Sequence, residues 1–165
     1  TVDSDTGDVS AYTVANVPRV TTDDATLIAT YPRVAAVKPI VAPKRDSKLS
    51  DRLVQQARAA LAGGKRKEAE SLFHQALSAD NRNASALIGL SDLEFDRGAH
   101  QRAADYAEKA IAASPKSGSY HLKLGDAYFK LLRYADARRA YEKAKDLGVR
   151  EADERLAKVK SKLGK

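Results

Sequence analysis

From Leu49 onward the chain changes texture: apolar residues fall at helical intervals and good helix formers (Ala, Leu, Arg, Lys, Glu, Gln) dominate. Before that point no helical period persists. The pattern is plainest at the end, where Ala152, Leu156, Val159 and Leu163 are spaced by four, three and four. Arg155 and lysines cover the other side of that stripe. Seven helices are predicted: 50–62, 66–79, 84–97, 100–113, 118–131, 134–147 and a solvating helix at 151–163. Their punctuation is consistent, with Asn83 as a start cap, Pro115 after an end and Gly148 at a C-terminal glycine position.

The six helices before the last repeat as pairs. Ala69, Ala103 and Ala137 are each 34 residues apart, as are Ala76, Ala110 and Ala144. Phe73 and Tyr141 share one slot in the first and third copies, with Ala107 between them, and Gly64 and Gly98 mark matching breaks. Such a period signals stacked helix pairs, each unable to bury its apolar face alone. Residues 124–144 hold no β-branched residue. There Ala137 and Ala144 are expected to let backbones approach, while Tyr128 and Tyr141 fill the wider gaps, small against large.

The spacing resembles the tetratricopeptide repeat, whose pattern runs W-x2-L-G-x2-Y, A-x3-F, an alanine and a closing proline. The third copy carries Leu124-Gly125, Tyr128, Ala137, Tyr141 and Ala144, with His121 at the tryptophan and Val149 at the proline. The second keeps Leu90, Ala103, Ala110 and Pro115, with Ser91 for glycine and Glu94 for tyrosine; the first keeps Ala69, Phe73 and Ala76. The resemblance implies an all-α, right-handed solenoid of three helix-turn-helix repeats (about 50–83, 84–117 and 118–151) closed by a capping helix at 151–163. The repeat domain is then 49–165.

Residues 1–48 read as a linker or tail. Pro18, Pro32, Pro39 and Pro43 lie here, and that density prevents a helix and interrupts sheet pairing. Disorder in the isolated chain is the expectation. Ala15–Val20 and Ala29–Val34 share A-x-x-P-R-V: either chance similarity or two copies of an extended docking peptide with one cation each.

Composition narrows the chemistry. Cysteine is absent, which excludes disulfides, thiol catalysis and zinc–thiolate sites. It does not separate cytoplasm, the expected compartment, from periplasm. No apolar run is long enough to cross a bilayer. Methionine is missing even at position 1, as in a piece cut from a longer chain, so a leader or anchor is left open. His74, His100 and His121 fall on different predicted helices and show no ligand spacing. Gly63-Gly64-Lys65 lacks the rest of a phosphate loop. No metal, cofactor or catalytic set is expected.

Two binding functions remain. In the family, first helices of repeats line a concave groove that holds a peptide. Carried over residue by residue, the groove positions are Val54 and Arg58; Ser85, Ile88, Asp92, Phe95 and Asp96; and Ser119, Leu122, Asp126, Phe129 and Lys130. Chaperone-binding members clamp a terminal carboxylate with asparagine and basic residues, but Asp92 and Asp126 stand at the asparagine positions here and would repel it. The implied partner is an apolar peptide with one or two cations, or the P-R-V elements of the chain's own tail. The alternative is an anionic surface, nucleic acid or acidic lipid. Net charge is +7, and residues 118–165 hold thirteen Lys/Arg against seven Asp/Glu. The basic candidates are Arg150, Arg155, Lys158, Lys160, Lys162 and Lys165. Aromatics do not interleave with them, which weakens the case for nucleic acid.

Overall fold

The computed structural model describes residues 45–164. The tail readings, the P-R-V elements and Lys165 lie outside them. Seven α-helices and no strand occur among the described residues: α1 (Ser47–Ala62), α2 (Arg66–Ala79), α3 (Ala84–Asp96), α4 (His100–Ala113), α5 (Gly118–Lys130), α6 (Tyr134–Asp146) and α7 (Glu151–Leu163). Helices α1/α2, α3/α4 and α5/α6 form hairpins that stack through α2/α3 and α4/α5, while α7 packs on α6 and touches α5. The arrangement is a helical solenoid.

Helix α1 starts earlier than its apolar pattern implies. Asp46 caps it, its side chain accepting from the Leu49 amide at 2.9 Å. The Asp46 amide donates in turn to the Ala79 carbonyl (3.0 Å), tying the start of the first hairpin to its end. Asn83 does a larger job than capping. Its carbonyl oxygen accepts from the Ala86 amide at the head of α3. Its amide donates to Ser50 Oγ (2.8 Å) and Asp51 Oδ1 (2.9 Å), and the fully buried Ser50 hydroxyl donates to the Ala76 carbonyl (2.8 Å). One buried side chain thus joins the first two hairpins, satisfying the buried Ser50 hydroxyl and reaching the exposed Asp51.

Small residues face large ones along the hairpin seams. Ala57 and Phe73 are both buried in the first core cluster. In the third hairpin a Cβ on Gly125 would lie 2.4 Å from Tyr141 Cε1, so only glycine leaves room for the ring. The middle hairpin has Ser91 opposite the alanine slot at Ala107, and the serine hydroxyl satisfies the Ala103 carbonyl (2.8 Å). Gly89 receives Phe73 across the junction between hairpins: a Cβ there would meet Phe73 Cζ at 2.3 Å. Ala137 and Ala144 are fully buried and Tyr141 nearly so, as the seam requires.

Glu94, at the family's tyrosine position, is only 5% exposed. It pairs with Arg102 of α4 (2.8 Å) and with Arg97, which also binds Glu70 of α2. The Arg97 hydrogen bond holds the Glu70 carboxyl below its ordinary range. An ion network therefore replaces aromatic packing between these helices.

The turn inside each hairpin needs a left-handed residue. Gly64 (φ 72°) and Gly98 (φ 81°) supply it in the first two, but Leu132 (φ 61°) does so in the third while 70% exposed. A side chain there costs about 1–2 kcal/mol, and a leucine so exposed regains little by burial. Leu132→Gly should stabilise the chain by about 0.5–1 kcal/mol, after subtraction of the entropy glycine adds to the unfolded state. Urea denaturation reads the gain; a loss of stability would show that the leucine makes up its strain elsewhere.

Candidate functional site

The first helices of the hairpins carry the sequence-derived groove residues, and the structure sorts them into three groups. Val54 (2% exposed) and Ile88 (7%) belong to the first and second core clusters. They are not groove walls: both point into the seams that hold the hairpins together. Leu122 is half-buried against the third cluster, Ser85 is half-buried, and Arg58 and Ser119 are exposed; none of the four borders the cavities described next. Asp92, Phe95, Asp96, Asp126, Phe129 and Lys130 do come together.

They line two adjoining cavities. The first, about 320 Å³, is bounded by Phe95 of α3, Asp126, Phe129 and Lys130 of α5, Tyr141 of α6, and Arg155 and Lys158 of α7. The second, about 270 Å³, is bounded by Ser91, Asp92, Phe95 and Asp96 of α3 and by Lys123 and Asp126 of α5. They share Phe95 and Asp126, so they form one depression along α3 and α5 with α7 at one end. Both phenylalanines are half-buried. Phe95 lies against the His100 ring (centroids 5.0 Å) and Phe129 meets Tyr134 edge-on (5.3 Å), contacts that hold the two rings in place.

The electrostatics differ from the sequence reading, which left acidic spots at Asp92 and Asp126 for a cationic ligand. Lys123 Nζ donates to Asp92 at 2.6 Å. Asp126 accepts from the Tyr141 hydroxyl (2.8 Å) and from Arg155 Nε (2.9 Å). Asp96 pairs with Arg66 at 3.0 Å. Every carboxylate lining the depression is therefore matched within the chain. Burial, followed by the charge of Asp126, pushes the Tyr141 phenol well above its ordinary value, so it stays a donor. The same carboxylate raises Arg155 further and fixes it as a cation.

The basic residues of α7 do not form one separate outer surface either. Arg155 turns inward to Asp126, and Lys158 borders the first cavity. Arg150, Lys160 and Lys162 are exposed and border neither cavity. The contribution of α7 escaped the sequence reading. Its signal was the position of Arg155 and Lys158, each beside an apolar stripe residue (Leu156, Val159) rather than opposite the stripe. Tyr141, read as packing alone, is also the floor of the cavity.

A third cavity, about 280 Å³, shares no residue with these; His121, Leu124, Tyr128, Asp136, Arg139, Ala140 and Lys143 surround it. Arg133 stacks over the Tyr128 ring (4.3 Å), and burial plus the bond to Glu108 pushes that phenol up to about 12. Arg133 and Arg139 both pair with Asp136. His121 bonds the Pro115 carbonyl (3.2 Å). No group of three or more metal-ligating side chains occurs among the described residues, and no described helix is long and apolar enough to cross a membrane.

Comparison with known proteins bears on this geometry. The family pattern of the tetratricopeptide repeat matches residues 54–118. The chain is 35% identical over 94 residues to the heat-shock protein cognate co-chaperone sgt12 of Aspergillus fumigatus, covering 57% of this chain and 28% of that protein's length. Among solved structures it is similar to the Sgt2 TPR domain from Aspergillus fumigatus, at 30% identity and a TM-score of 0.65, covering 73% of this chain and 82% of that one. It is also similar to the first TPR of Spaghetti (RPAP3) bound to an HSP90 peptide, with a TM-score of 0.71 and 21% identity, covering 75% and 100%.

Proposed function

The chain belongs to the tetratricopeptide-repeat family, and from that premise we propose that it is a non-enzymatic adaptor. It holds a peptide segment of a partner protein in the depression along α3 and α5. One observation carries this: Phe95 and Phe129, on successive hairpins, present half-exposed rings to the same cavity of about 320 Å³. Apolar rings with a few fixed polar groups around them make a recognition surface rather than a reaction centre. The co-chaperone relative and the peptide-bound neighbour support the reading without supplying the ligand. A clamp for a terminal carboxylate is left out of the proposal: by the family resemblance it needs neutral donors where Asp92 and Asp126 stand, and these carboxylates offer none, being engaged by Lys123 and by Tyr141 and Arg155.

A peptide array probed with the full chain tests this, beside a Phe95→Ser, Phe129→Ser variant checked for helix content. Peptides retained by the parent should lose at least about tenfold in affinity to the variant, since each ring contributes on the order of 1–3 kcal/mol of burial. Equal retention by both proteins, or no retention by the parent, would contradict the groove.

A further inference from the structure

We propose that Asp126 is a positioning residue that acts through α7: its carboxylate holds α7 in place as a wall of the groove, so peptide binding and the docking of α7 are linked. The proposal rests on the groove reading above and adds which element must be in place for the groove to be complete.

Asp126 stands where the family resemblance expects a peptide contact, yet its carboxylate is engaged from within the chain. Oδ1 accepts from the Tyr141 hydroxyl of α6 (2.8 Å) and from Arg155 Nε of α7 (2.9 Å), so one atom of α5 joins three helices. Two of the seven residues that bound the first cavity, Arg155 and Lys158, belong to α7. Without α7 the cavity loses that end and both of those cations.

The attachment of α7 is slight. It packs on α6 and touches α5. Only Ala152, Leu156 and Val159 of its 13 residues are buried. Two ion pairs tie it to other helices among the described residues. Lys145–Asp153, reaching α6 at 2.6 Å, has both side chains more than half exposed and is therefore weak. Arg155–Asp126, reaching α5, is 34% and 28% exposed and shares its carboxylate with Tyr141. It is the stronger tie, and it lies at the cavity itself.

A helix of this length is marginal in water on its own. Helix α7 therefore keeps its shape only while docked, and an element held by so little buried surface opens before the rest. A peptide lying against Arg155 and Lys158 binds the docked form better than the open one. It must then favour docking by the same factor by which docking favours the peptide.

Hydrogen exchange of the full chain, with and without the tightest array peptide, tests the linkage. With the peptide at about a hundred times its Kd, α7 amides that exchange by local opening should gain about a hundredfold protection. Leu156→Ala with Val159→Ala, at buried residues that border neither cavity, should leave α7 open most of the time and weaken the peptide about tenfold. Protection in α3 and α5 reports that the hairpins of this variant stay folded. Asp126→Asn, added to Val159→Ala, should lower α7 docking and peptide affinity by one common factor. Binding that leaves α7 exchange unchanged, or an open α7 with undiminished affinity, would overturn the linkage and leave the groove reading standing. Affinity lost on Asp126→Asn without faster α7 exchange would make the residue a direct contact and overturn the positioning role. An array that retains no peptide removes the groove reading and this one with it.

Discussion

Gly125→Ser is expected to destabilise the chain by about 3 kcal/mol, Tyr141→Ala by about 3–5 kcal/mol, and the two together by clearly less than their sum. The single serine drives a Cβ to 2.4 Å from a ring that is 1% exposed. That ring cannot swing aside cheaply, because its hydroxyl is bonded to Asp126, which Arg155 also holds. The single alanine leaves a ring-sized cavity in the third core cluster. The double variant recreates the middle hairpin, where Ser91 and Ala107 occupy the same two slots in a buried seam. Urea denaturation of the four proteins gives the coupling directly. Strict additivity would mean that the two slots do not share one contact.

Asn83→Ala should cost about 2–3 kcal/mol, more than an ordinary cap. Loss of a cap accounts for about 1 kcal/mol. The rest comes from one buried group, the Ser50 oxygen, left without its donor, at about 1–2 kcal/mol. The Ser50 hydroxyl loses its donor at a site with no exposure, whereas the exposed Asp51 loses a bond that water replaces. Asn83→Asp separates the two contributions. It keeps the acceptor for the Ala86 amide but replaces the donor with a carboxylate facing Asp51. A cost equal to that of alanine would locate the effect between the hairpins; a negligible cost would confine it to the cap.

Much of the architecture was legible because it is repetitive. Alanines at a fixed offset mark the close approaches, and the Phe73/Tyr141 slot marks the filler, so helix order, pairing and most boundaries follow from the sequence. The start of α1 was less legible, since its first turn is fixed by the Asp46 cap and a bond to Ala79, neither of which has an apolar signature. Leu132 was hidden for another reason. It fills a left-handed turn that two glycines mark elsewhere, and its residue type argues against the conformation it adopts.

The candidate site was read less well than the fold. Residue-by-residue transfer placed Phe95, Asp126, Phe129 and Lys130 on a common depression, but it assigned Val54 and Ile88 to a surface they do not reach. Helical spacing gives a face only to within one position, and a one-position error exchanges wall for core. The charge of the groove was misread because ion pairing is a property of the packed array. Lys123 lies 31 residues from Asp92, and Arg155 lies 29 from Asp126. Only stacking of the hairpins and docking of α7 reveal that these carboxylates are already matched.

The central claim is that the stacked hairpins hold a peptide in the trough along α3 and α5, with α7 closing one end. Backbone amide NMR of the full chain, titrated with the tightest array peptide, tests it most directly. Shifts should concentrate at Ser91, Phe95, Phe129, Lys130 and Lys158. Shifts centred instead on His121, Arg139 and Lys143, with those five amides unmoved, would contradict it.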